Sequence, residues 1–170
     1  HSEEEAKHLN RVLRAVRKVN QLITVERHRG RLIQGMCDTF VQTRGFGRAW
    51  IALLDSSGEI AFFAQADAEG GPASVQEGIR RHELPYCCEQ ALRGTELMIV
   101  QDPASVCPDC PWTACRRQNV GFAVPLRHQD EVYGVLSLSL PPHFAAEEEQ
   151  ELVREVADDI GYALRNIEME

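Results

Sequence analysis

Gly121-Phe122-Ala123-Val124-Pro125-Leu126, a polar turn from Arg127 to Asp130, and Val132-Tyr133-Gly134-Val135-Leu136-Ser137-Leu138-Ser139-Leu140 together decide the fold. Two apolar runs joined by such a turn read as a β-hairpin. In the second arm Val135, Ser137 and Ser139 alternate with Leu136, Leu138 and Leu140, which leaves one face of that strand drier than the other. Toward the N-terminus the same plan recurs. Ala49-Trp50-Ile51-Ala52-Leu53-Leu54 stops at Asp55-Ser56-Ser57-Gly58 and resumes as Ile60-Ala61-Phe62-Phe63-Ala64, a second hairpin. Between the two hairpins, Leu97-Met98-Ile99-Val100 reads as a single strand.

Helical patterns flank these strands. At the start, Leu9, Val12, Val16, Val19 and Ile23 recur at alternating intervals of three and four, the a/d spacing of a coiled-coil seam, with Leu13 and Leu22 beside it and charged residues elsewhere. The narrow stripe predicts a seam shared with a second copy rather than a helix packed only on its own domain. A second helix spans about Arg29 to Val41 and places Leu32, Ile33, Met36, Cys37, Phe40 and Val41 on one face, with Cys37 as a small core residue. A short helix covers about Pro85 to Leu92, and a last one about Ala145 to Glu168, striped by Leu152, Val156, Ile160, Ala163, Leu164 and Ile167. Residues 67–73 form a loop. Residues 101–119 are irregular around Pro103, Pro108 and Pro111, with a short helix from Pro111 to Gln118. The predicted class is α+β, a mainly antiparallel sheet with helices packed on it.

A chain of 170 residues fits one domain, and 44% hydrophobic with 26% charged residues suits a soluble globule. Asp plus Glu number 26 against 18 Lys plus Arg, a net charge of −8 that repels phosphate backbones, so no nucleic-acid partner is expected. No run approaches the ~18 apolar residues of a membrane span, and no basic-then-apolar leader is seen, so the expected location is cytoplasmic.

The helix leading into Gly45-Phe46-Gly47-Arg48-Ala49-Trp50-Ile51-Ala52-Leu53-Leu54-Asp55, the strand Ile99-Val100-Gln101-Asp102-Pro103, and Val124-Pro125-Leu126 followed after a turn by Val132-Tyr133-Gly134-Val135-Leu136 resemble a GAF domain over roughly residues 25–165. The resemblance implies a six-stranded antiparallel sheet with a ligand pocket on one face, roofed by about residues 82–118. It also implies that the terminal helices are signalling helices of the kind that join such domains to histidine kinases or cyclic-dinucleotide enzymes. The Asn-Lys-Phe-Asp-Glu signature of phosphodiesterase GAF domains is absent, as are bilin-attachment and haem-ligating patterns. The expected division is an N-terminal signalling and dimerisation helix over 1–27, a ligand-binding core over 28–144 and a C-terminal signalling helix over 145–170.

Trp50, Phe62 and Trp112 are the candidate aromatic walls of a pocket, with Gln65, Gln101, Asp102, Thr113 and Asn119 as hydrogen-bonding groups and Arg116 or Arg117 for a phosphate or carboxylate. Five of the six cysteines lie between 87 and 115. Cys88 and Cys107 are candidate pocket residues. Cys88, Cys107, Cys110 and Cys115 could alternatively hold zinc or an iron–sulfur cluster, or act as redox thiols. The six histidines are dispersed and form no HExxH arrangement, and no catalysis is expected. The leading expectation is a homodimeric regulatory sensor that binds a small molecule, with a cyclic nucleotide first by analogy with the family, and signals to an output domain outside this chain. A cysteine-based metal or redox sensor and a structural relay are the alternatives.

Overall fold

In the computed structural model residues 2–67, 86–94, 96–100, 120–142 and 146–169 are described. The order is α1 (Ser2–Val25), α2 (Arg29–Asp38), β1 (Arg48–Leu54), β2 (Ile60–Asp67), α3 (Tyr86–Arg93), β3 (Met98–Val100), β4 (Val120–His128), β5 (Glu131–Leu140) and α4 (Glu147–Met169). The strands form one sheet in the order β2-β1-β5-β4-β3, with every neighbouring pair antiparallel. Both hairpins are therefore present, and β5 closes the sheet by pairing with β1. The α+β class stands, but among the described residues the sheet has five strands and not six. The five are the runs whose apolar patterning is legible. The sixth rested on the resemblance alone, with no run of its own.

The turn between α1 and α2 is held by one carboxylate. Glu26 Oε1 accepts from the backbone N–H of Arg27 and His28 and from Arg31 Nε. These bonds, that from His28 first, hold the Glu26 carboxyl below its usual range. His28 then caps α2 by accepting from the Arg31 N–H through Nδ1.

The second helix does not run regularly to Val41. From Thr39 to Thr43 it widens into a π-helical turn in which the Arg44 N–H reaches back five residues to the Thr39 carbonyl. Gly45, at φ 80°, then turns the chain into β1. Pro125 interrupts no ladder on the outer side of β4, because β3 pairs only with Gly121 to Ala123.

One face of the sheet carries the main core. Ile51, Leu53, Phe122, Val124, Leu136 and Leu138 pack there against Leu32, Ile33, Met36 and Cys37 of α2 and Val153, Ala157, Ile160 and Leu164 of α4. Cys37 is fully buried, with Sγ directed at the Ala64 carbonyl. Burial pushes its thiol far up, so it remains protonated and inert. No helix among the described residues is long and apolar enough to cross a membrane.

Only half of the expected seam on α1 is available to a partner. Val19 is buried in the main core, and Ile23 packs against it. Val12 is half-buried, while Leu9 and Val16 are exposed, as is Leu13. The helix meets its own domain along Ala15, Val19 and Ile23, so the a/d stripe is divided between the domain and solvent.

Candidate functional site

The opposite face of the sheet has a different composition. Its apolar cluster is small: Trp50, Ala52, Ala123 and Val135 from the strands with Cys88 and Ala91 from α3, joined by the partly buried Ile60, Phe63, Leu92 and Met98. Register places the rest of the face in rows. Asp67, Arg48, Ser139, Gly121 and Val100 are successive partners across all five strands, and Gln65, Trp50, Ser137, Ala123 and Met98 form the next row. Phe63, Ala52, Val135 and Pro125 form a third. Polarity thus falls along the strands, from a charged row through a mixed row to an apolar one.

The charged row is buried. Arg48 Nε donates to Asp67 Oδ2, with the two side chains only 3% and 9% exposed. Ser137 and Ser139 are likewise buried. Burying an ion pair in a sheet costs desolvation that apolar residues of similar size would avoid, so it is weak as a stability device. Grouped polar side chains beside an aromatic wall are instead the composition of a ligand floor. Trp50 supplies that wall; it is fully buried, and its ring lies 5.9 Å from that of Phe63.

Of the candidate pocket residues, the structure brings Trp50, Gln65 and Cys88 to this face. It does not bring Phe62 there. Phe62 pairs with Leu53 in register, packs on the helix side and lies under the Arg29 guanidinium at 4.9 Å. Side chains alternate along a strand, so Phe63 rather than Phe62 shares the face of Trp50. Gln101, Asp102, Cys107, Trp112, Thr113, Arg116 and Asn119 lie outside the described residues, as do Cys110 and Cys115 of the thiolate set. Among the described residues no group of three or more His, Cys, Asp or Glu side chains is placed to hold a metal ion. Sequence reasoning missed Arg48, Asp67, Ser137 and Ser139. The available signal was a charged residue opening an otherwise apolar strand, Arg48 before Ala49-Trp50-Ile51.

The family model described as GAF domain matches residues 26–165. No curated protein matches the chain. Solved structures with the same fold include the GAF domain of a phosphoenolpyruvate-protein phosphotransferase from Coxiella burnetii, at 16% identity and TM-score 0.71 over 92% of this chain and 94% of that one. The GAF domain of the cyanobacteriochrome TePixJ aligns at 17% identity and TM-score 0.68, over 87% and 96% of the two chains. Free methionine-R-sulfoxide reductase from Neisseria meningitidis, in complex with its substrate, aligns at 16% identity and TM-score 0.61, over 91% and 90%. The last of these corrects the expectation that a chain of this kind has no catalysis, since an enzyme is built on the same fold.

Proposed function

The chain belongs to the GAF domain family, a sensor and signalling fold, and from that premise we propose that it binds a small molecule on the sheet face that carries Trp50, Gln65, Ser137 and the Arg48–Asp67 pair. The observation that carries this reading is the contrast between the two faces. The helix-covered face is continuous apolar core, whereas the other has a small apolar cluster beside a buried polar row. Arg48 supplies charge-assisted donors for an anionic group, and Trp50 a surface for a planar ring. A cyclic nucleotide offers both features and is the first ligand class to screen.

Occupancy has a short route to the terminal helices. Trp50 and Ser137 alternate along β1 and β5 with Ile51, Leu136 and Leu138, and those three pack in the same core as α2 and α4. A ligand that favours one arrangement of β1 and β5 thereby favours one packing of the helices, to the extent that it binds the two arrangements unequally. An output domain outside this chain, such as a histidine kinase or a cyclic-dinucleotide enzyme, would receive the change.

The test is a thermal-shift screen of the wild-type chain against cyclic mono- and dinucleotides, with free methionine-R-sulfoxide included because a protein of the same fold binds it. A saturable shift that weakens in Trp50→Phe supports the reading. No shift with any of these compounds, or one unchanged in Trp50→Phe, defeats it.

A further inference from the structure

From the His8–Glu149 contact onward, α1 and α4 run side by side, and a cavity of about 80 Å³ opens between them. Val19 and Phe40 form its buried floor, and Val16 borders it on the α1 side, Leu152 and Val156 on the α4 side. Its size lies between the roughly 30 Å³ share of one water and the roughly 150 Å³ of an apolar cavity that holds benzene. A short branched alkyl group fits such a hollow, with the rest of the molecule at its mouth.

Two polar features of opposite kind line this apolar hollow. On α4, Glu155 and Asp159 are four residues apart and so lie side by side on one helical face. Both are exposed, and neither forms an ion pair among the described residues. Partial burial and then the neighbouring Asp158 and Glu155 raise the Asp159 carboxyl above its usual range, the mark of carboxylates that repel one another. At the π-helical turn Arg44 lines the cavity and is only 6% exposed. It donates to Glu149 Oε1 through Nη2, but its Nε has no hydrogen-bond partner among the described residues. A buried donor without an acceptor is costly, so this corner of the cavity favours an oxygen.

We infer that the cavity binds a small branched aliphatic amine that also carries a neutral oxygen, the chemistry of an amino alcohol. The alkyl body enters the hollow over Val19 and Phe40. The ammonium meets Glu155 and Asp159 and relieves their repulsion, while the oxygen accepts from Arg44 Nε. Because Glu149 already balances Arg44, the charge left at the site is that of the two α4 carboxylates, which favours a cation over a zwitterion or an anion. The inference stands apart from the sheet-face reading, since it concerns the helix-covered side of the sheet and requires nothing of the other face.

Calorimetric titration of the full chain with leucinol tests it, with circular dichroism to verify that each variant is folded. Leucinol is expected to bind saturably at millimolar concentration or below. Isohexanol, which lacks the ammonium, and leucine, which adds a carboxylate, should each bind at least about tenfold more weakly, because each forfeits or offsets a charge-assisted contact. Isopentylamine, which lacks the oxygen, should bind roughly two- to tenfold more weakly, the range of one neutral hydrogen bond. Glu155→Gln/Asp159→Asn changes two exposed side chains and should weaken leucinol at least about tenfold. Arg44→Met/Glu149→Leu removes the buried pair together and should bind leucinol and isopentylamine alike. No saturable binding of leucinol, isohexanol or isopentylamine binding as tightly as leucinol, or a folded Glu155→Gln/Asp159→Asn variant that binds like the wild type would overturn the proposal. So would a folded Arg44→Met/Glu149→Leu variant that still prefers leucinol to isopentylamine, since the oxygen would then have another partner.

Discussion

At Gly161 the backbone of α4 approaches β4 so closely that an added Cβ would lie 2.1 Å from the Arg127 carbonyl oxygen and 2.7 Å from its carbon. Alanine there gains about 1 kcal/mol of helix propensity. The clash outweighs this gain, because a backbone carbonyl in a paired strand cannot rotate aside, and overpacking costs about 1–3 kcal/mol or more. Gly161→Ala is therefore expected to lower the urea midpoint, whereas Gly35→Ala, whose Cβ would meet only the end of the Leu22 side chain, should lower it less. Equal losses would mean that α4 can lift from the sheet at little cost. Cys37 offers a second measurement at this scale. Its buried thiol is pushed well above the usual range, chiefly by desolvation, so native protein treated with iodoacetamide at pH 8 should carry no label at Cys37. Peptide mass mapping before and after denaturation checks this, and rapid native labelling would show that the α2 core opens readily.

Among the elements, the β1–β2 hairpin depends on a carboxylate. Asp55 Oδ1 accepts from the Ser57 hydroxyl, the Ser57 N–H and the Glu59 N–H. These bonds, that from the Ser57 side chain first, hold its carboxyl below the usual range. A lowered folded-state value means that the stabilisation is present above the unfolded pKa, about 3.9, and is lost as pH falls through the folded one. Asp55→Ala should therefore melt below the wild type at pH 7, with the gap closing in strong acid. A gap independent of pH would assign the loss to turn propensity instead. The start of α4 has a different anchor. Arg44 lies over the Phe46 ring and donates to Glu149 Oε1, with both side chains almost fully buried. Arg44 Nε and Glu149 Oε2 find no further partner among the described residues. Glu149→Leu leaves a buried guanidinium uncompensated and should cost about 3–5 kcal/mol, while adding Arg44→Met should restore most of it. A double variant as unstable as the single one would show that packing, not charge, is lost.

These elements differ in how far the sequence announced them. Short apolar runs bounded by turn residues placed both hairpins and β3, because a strand buried on both faces, as β1 is, reads as a continuous apolar segment. Only in β5 did the parity of alternating residues separate one face from the other. The same parity, applied across the β1–β2 pairing, would have set Phe62 opposite Leu53 and away from Trp50. The a/d stripe of α1 recorded which residues are apolar but not whether the covering surface is the chain's own or a partner's, so Val19 and Ile23 joined Leu9 and Val16 in a single seam. The Arg44–Glu149 and Arg48–Asp67 pairs join residues 105 and 19 positions apart, and in sequence each member looks like an ordinary solvated charge.

Across the whole molecule, stability and the proposed binding are assigned to opposite faces of one sheet, and adjacent residues of β5 separate the two. Leu136 faces the helices in the main core, while Ser137 faces the other way, in the row of Trp50 and Gln65. Leu136→Ala removes buried apolar volume and leaves a cavity, so a loss of about 2–5 kcal/mol is expected, with any ligand-induced thermal shift retained in the fraction that remains folded. Ser137→Ala removes one hydroxyl from a buried position and should change stability by no more than about 1 kcal/mol. If the face is a ligand floor, the same substitution should nonetheless reduce the ligand-induced shift, because a polar group chosen for a ligand contributes little to the unliganded fold. Urea unfolding of both variants, with and without whichever compound shifts the wild type, separates the cases. If Ser137→Ala proves as destabilising as Leu136→Ala, the polar row belongs to a second structural core, and binding must be sought elsewhere on the domain.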